Sequence, residues 1–197
     1  DLAILFGDKK QRARYSEMDE VARESFNGQL WNEEAQCLYD VIDGDIRDAS
    51  VRPNQIFAVS LHHSMVDSAR ARKVVDKVEA ELLTPVGLRS LSPSDPRYVP
   101  IYIGSPTYRD EGYHQGTVWG WLIGPFVDAY RKAHSKDAIA DARIDQILEG
   151  FKTHISEAMV GQISEIFDAE HPHRPRGCAA QAWSVAELLR VSRTDLK

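Results

Sequence analysis

The sequence predicts an all-α fold that forms about half of an α/α toroid, with inner and outer antiparallel helices in alternation. Two observations support this prediction. Six segments have helical hydrophobic periodicity, and in chain order they alternate between one-sided and nearly fully apolar helices. The connections alternate between short turns and long loops. Because antiparallel helices reverse the chain at each end, the long loops all emerge on one edge, which we call the loop edge.

Three segments are apolar on one face only, and they predict outer helices. In the clearest of them, Val74, Val78 and Leu82 lie on one stripe with a period of 3.6 residues, opposite charged residues such as Lys77. The stripe of the last segment continues to Met159. The three predicted outer helices cover residues 9–26, 67–83 and 138–160.

Three further segments are apolar nearly all round, which is typical of buried, inner helices. Pro53 occupies the first turn of the first one, where proline is tolerated. Pro125 lies inside the second one, where it predicts a kink. The apolar stretch Leu2–Phe6 predicts the end of a preceding inner helix. The three predicted inner helices cover residues 52–64, 114–133 and 178–190.

The lengths of the connections favour a toroid over other helical folds. Tight turns are predicted near residues 63–67 and 134–137, whereas residues 27–51, 84–113 and 160–177 form long loops. Long loops without secondary structure of their own are uncommon unless they are functional. A plain helical repeat protein is the alternative, but such proteins have short, uniform loops and an internal repeat, which this sequence lacks.

Composition limits the partners and the compartment. A length of 197 residues allows one domain with a real core. The net charge is −6, and lysines and arginines are scattered among acids, which argues against nucleic-acid and anionic-membrane partners and fits a neutral sugar. Cys37 and Cys178 are too few for a disulfide framework, which favours a reducing, cytoplasmic compartment. No apolar run is long enough to span a bilayer.

Polar residues stand where the first inner helix begins, at the loop edge. Arg52, Asn54 and Gln55 lie at the mouth of a buried helix, where polar groups need hydrogen-bond partners. The hydroxyl groups of a sugar are suitable partners for all three side chains. We therefore expect these residues to contribute to a carbohydrate site.

A second polar and aromatic group leads into the next inner helix, and it consists of Tyr113, His114, Gln115 and Trp119. Aromatic rings stack on the apolar face of a sugar ring, and His and Gln side chains hydrogen-bond its hydroxyls. Core packing accounts for Trp119 equally well, but it accounts for His114 and Gln115 less well. The pattern therefore indicates a carbohydrate-binding surface.

The third long loop carries the candidate catalytic carboxylate, Glu165, between Ile163 and Ile166. Inverting glycoside hydrolysis needs two carboxyl groups about 6.5–9.5 Å apart, one acting as acid and one as base. A solvated glutamate without a catalytic role is the alternative interpretation. Gln181 and Trp183 open the last inner helix and face the same edge.

The sequence predicts neither a metal site nor a cofactor. The acids between Asp40 and Asp45 lack the ligand spacing and the closing glutamate of an EF-hand. His171, His173 and Cys178 suggest a zinc set, but no fourth ligand has supporting spacing. A phosphate-binding glycine loop and a nucleophile elbow are also missing, which leaves acid–base chemistry on a sugar as the best enzymatic interpretation.

Seven short motifs occur in order between residues 2 and 190. They are Trp31-Asn32-Glu33-Glu34, Tyr39-Asp40-Val41, Arg52-Pro53-Asn54-Gln55, Leu82-Leu83-Thr84-Pro85-Val86-Gly87-Leu88-Arg89-Ser90-Leu91, Tyr113-His114-Gln115-Gly116, Ser164-Glu165-Ile166 and Gln181-Ala182-Trp183-Ser184. Together they resemble the C-terminal catalytic domain of bacterial-type glycogen debranching enzymes.

This resemblance implies an (α/α)6 toroid and an amylo-α-1,6-glucosidase that releases branch-point glucose from glycogen, or another branched glucan, with inversion. It implies that Glu165 is the general base. The substrate-binding residues that it implies, together with the loop-edge argument, are Tyr113, His114, Gln115, Trp119, Arg52, Asn54, Gln55, Gln181 and Trp183.

The resemblance also implies a general acid that is absent from this chain. In the family this acid is an aspartate in an upstream Trp-Met-Asp motif, and that tripeptide does not occur in the 197 residues. We therefore expect residues 1–197 to be a single C-terminal fragment that is inactive alone. The start at Asp1, inside an apolar segment, agrees with this, and a trimmed full-length protein is the alternative. Because half a toroid exposes its inner helices, we expect the fragment to self-associate through them.

Two other functions remain open. One is a non-catalytic glucan-binding or scaffolding all-α protein. The other is a different toroidal enzyme, such as an epimerase or a neutral trehalase-like hydrolase. The coding sequence upstream of Asp1 and a screen of sugar substrates on the intact enzyme would separate these alternatives.

Overall fold

The computed structural model describes residues 1–134, 138–158 and 160–192, and it is rich in helix, as predicted. Residues 135–137, in one predicted turn, and Met159, at the end of one predicted stripe, lie outside the described residues. The helices of the described part are α1 (Leu2–Leu5), α2 (Lys9–Leu30), α3 (Phe57–Ser60), α4 (Ser68–Leu82), α5 (Pro106–Gly112), α6 (Ile123–Ala133), α7 (Ala138–Glu157) and α8 (Ala182–Ser192).

The helices are arranged around α6, which packs against α3, α4, α7 and α8. Most of α6 is buried, with Phe126 and Val127 fully enclosed. The apolar stripe of α4 faces this core, and Val74 and Val78 are fully buried, as predicted. Helix α7 contributes Phe151 to the same core. The helix at the centre is therefore one that the sequence predicts to be apolar all round.

Two predicted inner helices differ from the expectation. The segment 52–64 forms a short 3-10 turn, Pro53–Ile56, followed by the single α-turn of α3. Helix α8 begins at Ala182 instead of residue 178. It buries Leu188 but leaves Trp183 and Leu189 exposed, so the prediction that it is buried all round was wrong.

The predicted helix over residues 114–133 is also corrected. Its first part is a strand at Val118–Trp119 and a 3-10 turn at Gly120–Leu122, and α6 begins only at Ile123. Pro125 therefore lies in the first turn of α6, where a missing N–H costs no hydrogen bond, and the predicted kink was wrong.

The long loops contain short strands that the sequence analysis did not predict. Two hairpins, β1–β2 and β3–β4, follow α2, and a five-stranded antiparallel sheet joins the later loops in the order β5-β6-β7-β8-β9. Strands of two or three residues are too short to show an alternating pattern, which explains the omission. The strands are β1 (Trp31–Asn32), β2 (Cys37–Leu38), β3 (Val41–Asp43), β4 (Ile46–Asp48), β5 (Leu83–Thr84), β6 (Gly87–Arg89), β7 (Val118–Trp119), β8 (Ile166–Phe167) and β9 (Pro175–Arg176).

The sheet brings the second and third long loops together. In its register Leu88 pairs with Trp119, and Trp119 pairs with Ile166. Strand β7 leads directly through the 3-10 turn into α6, so the central helix and the sheet form one continuous support. Glu165 immediately precedes β8 and is fixed by this pairing.

The first two helices pack differently from the rest. Residues Leu2–Leu5 form the four-residue helix α1, which buries none of its residues, whereas the sequence predicted the end of an inner helix there. Helix α2 also has no buried residue, and Met18 and Val21 of its predicted stripe face solvent. Among the described residues, no helix combines the length and the apolar character that crossing a membrane requires.

Candidate active site

Glu165 is held by hydrogen bonds to both of its carboxylate oxygens. Its Oε1 accepts from the Tyr113 hydroxyl, and its Oε2 accepts from the backbone N–H of Cys178 at 2.7 Å. The Glu165 backbone N–H in turn donates to the Cys178 carbonyl at 2.9 Å. The side chain is half-buried, so it is oriented by the protein and still open on one side.

Gly177 makes the close approach to Glu165 possible. It has a φ of +65°, a left-handed conformation that favours glycine. A Cβ atom at this position would lie 2.5 Å from Glu165 Oε2. The role of Gly177 could not be predicted from the sequence, because it depends on the carboxylate across the β8–β9 hairpin.

Tyr113 is the hydrogen-bond donor to Glu165, and it stays protonated. Burial of the phenol and its hydrogen bond to Glu165 both raise the pKa of Tyr113 above its usual range. Its ring lies edge-on to those of His114 and Trp119, with centroids 4.9 Å away in each case. A further neighbour is Tyr102, at 5.6 Å, which the sequence analysis missed.

An aromatic cleft of about 330 Å³ adjoins Tyr113. Its aromatic lining includes Trp121, whose ring centroid is 5.7 Å from that of Trp183 and 6.0 Å from that of Phe57. Trp183 is 55% exposed, so one ring face is available to a ligand. Phe57 and Trp121 were not predicted as site residues, because both read as core residues of apolar helices. The cleft is also lined by Arg52, Asn54, His114 and Trp119.

The His114 imidazole forms part of the cleft wall in its neutral form. It stacks on Trp119 with the ring planes 3° apart and the centroids separated by 5.1 Å. Partial burial, followed by the positive charge of Arg52, lowers the pKa of His114 below its usual value. A neutral imidazole offers one donor and one acceptor, which suits hydrogen bonding to a hydroxyl group.

Although Arg52 lines the cleft, its guanidinium N–H groups donate to acceptors of the protein itself. It donates to the His114 carbonyl at 2.6 Å and to Gln115 Oε1 at 2.7 Å. It also donates to the Ser90 carbonyl at 3.1 Å, and its Nε lies 3.5 Å from Asp40 Oδ2. Arg52 therefore ties three parts of the loop edge together, and Gln115 is one of its anchors.

The remaining predicted residues lie around the site. Asn54 is exposed and donates to Asp40 Oδ1 at 2.8 Å. Gln55 is buried, where it donates to the Arg52 carbonyl and accepts from the N–H of Leu38. Gln181 is half-buried, and its backbone N–H donates to the Ile163 carbonyl as α8 begins. Tyr113 and Glu165 do not line the cleft, nor do Gln55, Gln115 and Gln181.

Asp168 is a buried carboxylate that the sequence analysis missed. Arg176 donates to both of its oxygens, at 2.9 and 3.1 Å. The backbone N–H of Tyr102 donates to Asp168 Oδ1 at 2.9 Å. This ion pair joins the β8–β9 hairpin beside Glu165 to the segment that carries Tyr102.

Within residues 1–134, 138–158 and 160–192, three metal-ligating side chains lie within reach of one another at one place, formed by Asp1, His62 and His63, all exposed. The set considered from the sequence, His171, His173 and Cys178, does not form such a group in that part of the chain.

The chain matches one protein family over nearly its whole length. Residues 4–190 match the family model described as amylo-alpha-1,6-glucosidase. The glycogen debranching enzyme of Saccharomyces cerevisiae is 28% identical over 161 residues, covering 72% of this chain and 10% of that protein. The chain thus spans about a tenth of the length of this relative.

Solved structures share the fold. The GH63 mannosylglycerate hydrolase from Thermus thermophilus superposes with a TM-score of 0.67 at 17% identity, covering 98% of this chain and 41% of that one. The neutral trehalase of Saccharomyces cerevisiae superposes with a TM-score of 0.66 at 14% identity, covering 90% and 30%. At these identities the likeness shows the helical fold alone.

Proposed function

Because the chain belongs to the amylo-alpha-1,6-glucosidase family of glycogen debranching enzymes, we propose that it supplies the general-base side of a branch-point glucosidase site. The substrate is α-1,6-linked glucose on glycogen or a limit dextrin, and the bond is hydrolysed with inversion. The observation that carries this proposal is the double anchoring of Glu165, since one of its anchors, Tyr113, packs against His114 and Trp119 of the aromatic cleft.

In this mechanism Glu165 removes a proton from the attacking water. Each of its oxygens accepts one hydrogen bond from the protein and keeps a lone pair for another. Tyr113 and the Cys178 N–H orient the carboxylate, so little reorganisation is needed when the proton is transferred. The water then adds to the anomeric carbon on the face opposite the leaving oxygen, which gives inversion.

The sugar whose bond is cleaved occupies the aromatic cleft. Trp183 and Trp121 offer ring faces for its apolar side, and His114 and Asn54 offer hydrogen-bonding groups. A few polar groups among mainly apolar walls are the usual make-up of a small-ligand site. Arg52, Gln55 and Gln115 support the wall through the hydrogen bonds that they make to the protein.

The general acid comes from polypeptide outside these residues. No Trp-Met-Asp motif occurs in the chain, and inverting hydrolysis requires the leaving oxygen to be protonated. We infer that residues 1–197 are the C-terminal part, about half, of an (α/α)6 toroid in a cytoplasmic enzyme. The chain alone is then inactive, because loss of acid catalysis costs about 100- to 10,000-fold in rate.

We further propose that the isolated chain self-associates. The predicted surface was the inner helices, but α6 is buried and the exposed apolar side chains concentrate on α1 and α2. They include Leu5, Phe6, Met18 and Val21. Large apolar side chains exposed on neighbouring helices favour association in water.

The experiment is glucose release from a limit dextrin by the intact enzyme that contains this domain, with Glu165→Gln as the variant. Glutamine keeps the shape of the side chain but is a far weaker proton acceptor, so we expect a loss of about 100- to 10,000-fold in kcat. Glu149→Gln, which changes an exposed carboxylate on α7, is the matched control. Unchanged glucose release by Glu165→Gln would show that Glu165 is not the base.

A second function, non-catalytic binding of a branched glucan, is favoured by one observation. The aromatic cleft is assembled within the described residues, whereas the chain lacks the Trp-Met-Asp motif of the family's general acid. Binding of limit dextrin without any hydrolysis by the intact protein would support this alternative over the glucosidase.

A further inference from the structure

Tyr102 presents a second aromatic surface beside Glu165. Its ring contacts that of Tyr113, whose hydroxyl binds Glu165, with 5.6 Å between the centroids. Tyr102 does not line the aromatic cleft, whereas His114 and Trp119, on other edges of Tyr113, do. Tyr113 therefore lies between Tyr102 on one side and the cleft residues His114 and Trp119 on the other, and it holds the candidate base Glu165.

The backbone of Tyr102 is held in place by a buried ion pair. Its N–H donates to Asp168 Oδ1 at 2.9 Å, and Asp168 is bound through both oxygens by Arg176. Tyr102 itself is half-buried and packs against the core, whereas Ile101 and Ile103 on either side of it are 45% and 58% exposed. Because the Tyr102 ring is held by its neighbours, the part of it that stays open to solvent is pre-organised for a ligand, and little conformational freedom is lost on binding.

Arg109 adds hydrogen-bond donors at the same place. It lies on α5, and its guanidinium carbon is 6.0 Å from the centroid of the Tyr102 ring. Among the described residues, the Arg109 side chain makes no hydrogen bond or ion pair, whereas Arg52, Arg89 and Arg176 each make at least one. The five N–H donors of Arg109 are therefore available to hydroxyl groups.

We propose that Tyr102 and Arg109 form a second sugar subsite, which binds the glucan chain that continues beyond the bond at Glu165. The Tyr102 ring stacks on a glucosyl unit, and Arg109 donates to its hydroxyls. This subsite rests on the proposed function, since it assumes that the cleft beside Glu165 holds the neighbouring glucose. It explains why the aromatic surface extends past the cleft.

The subsite is tested by calorimetric titration of the protein with glucose and with maltotetraose. Glucose fits in the cleft alone, whereas a tetrasaccharide reaches both aromatic surfaces. For the unmodified protein we expect tighter binding of maltotetraose than of glucose. Tyr102→Ala should weaken maltotetraose binding about three- to tenfold, the usual size of an aromatic stacking contribution, and leave glucose binding unchanged.

Two variants complete the design. Tyr102→Phe keeps the ring and should bind maltotetraose as the unmodified protein does. Tyr108→Ala removes an exposed ring from the same segment without touching the subsite, and it should have no effect. Arg109→Gln should weaken maltotetraose binding alone, and thermal unfolding of each variant verifies that it is folded.

Three results would overturn the subsite. The first is maltotetraose binding that Tyr102→Ala leaves unchanged, and the second is equal affinity of the unmodified protein for both sugars. The third is an equal loss for both sugars in folded Tyr102→Ala, which would mean that Tyr102 only supports Tyr113 and the cleft. Failure of the proposed function has a different signature, since it appears in glucose release by Glu165→Gln and not in sugar binding.

Discussion

The loop edge around Glu165 and the α1–α2 hairpin are organised in opposite ways. At the loop edge, side chains distant in sequence satisfy one another: Tyr113 reaches Glu165 across 52 positions, and Arg52 reaches Gln115 across 63. In the α1–α2 hairpin, apolar side chains such as Phe6 and Val21 lie open to solvent. The polar groups around Glu165 are therefore satisfied within the chain. The α1–α2 hairpin, in contrast, exposes apolar side chains that another protein surface can cover.

The largest effect is expected from breaking the buried ion pair at the loop edge. Asp168→Ala leaves the Arg176 guanidinium without its partner and also removes the acceptor for the Tyr102 N–H. We expect the free energy of unfolding to fall by about 3 kcal/mol, measured by urea denaturation. The control is Lys152→Ala, which breaks an exposed pair on α7 and should change little. Equal effects of the two substitutions would contradict the importance of the loop-edge network.

A pair of glycine substitutions separates backbone strain from contact with the site. Gly177 and Gly161 both have a left-handed φ, of +65° and +77°, so alanine at either costs about 1–2 kcal/mol of stability. Only at Gly177 does the new Cβ meet Glu165, since no atom lies within 4 Å of the corresponding position at Gly161. We expect Gly177→Ala to lose most glucose release by the intact enzyme and Gly161→Ala to retain it. Similar activities of the two variants would rule out steric control of Glu165 by Gly177.

Acid should weaken the loop edge through His154. This histidine is buried on α7, and its Nε2 accepts from the Ser164 N–H, next to Glu165, at 3.1 Å. Burial lowers its pKa, so the unfolded chain takes up a proton at a higher pH than the folded one. Its contribution to stability is thus present above the usual histidine pKa of about 6.5 and is lost as the pH falls below it.

The pH dependence is measured as the free energy of unfolding between about pH 7.5 and about pH 5.5, roughly one pH unit on each side of the usual histidine pKa. In His154→Gln the decline on acidification should be smaller, because the titrating group has been removed. His63→Gln, at an exposed position, should leave the decline unchanged. An identical decline in all three proteins would assign the acid sensitivity to other groups.

The smallest effect on stability is expected at the α1–α2 hairpin. Val21→Ser replaces a side chain that is 62% exposed, so the free energy of unfolding should hardly change. Light scattering should show less self-association, because the exposed apolar surface is reduced. The matched change Val75→Ser, on the buried stripe of α4, should cost about 2 kcal/mol or more. Unchanged self-association of Val21→Ser would place the contact elsewhere.

Features formed by near neighbours in the sequence could be predicted, whereas features formed by distant residues could not. The α4 stripe through Val74 and Val78 was predicted correctly, because a helix repeats its pattern over many residues. The strand Val118–Trp119 was read as helix, since two apolar residues fit either pattern and only pairing with β6 and β8 decides. Trp183 was expected on a buried helix, but burial depends on neighbours that the local pattern does not contain.

The site was predictable only where residue type itself carries information. The motif around Glu165 and the polar and aromatic group from Tyr113 to Trp119 were found from their residue types, and the structure brings them into contact. Gly177, Asp168 and Tyr102 were missed, because each acts on a residue elsewhere in the chain. The expected role of Arg52 as a substrate contact stays a prediction, and its observed bonds are to the protein.

The five-stranded sheet at the loop edge has a consequence for the order of folding. Helices α2, α4 and α7 are formed by contacts between near neighbours, which develop within microseconds, whereas pairing β6 with β7 and β7 with β8 requires large loops to close first. Glu165 and Tyr113 meet only after that closure. During refolding, helical circular dichroism should therefore recover before sugar binding does, so ligand binding reports completion of the chain's slowest step.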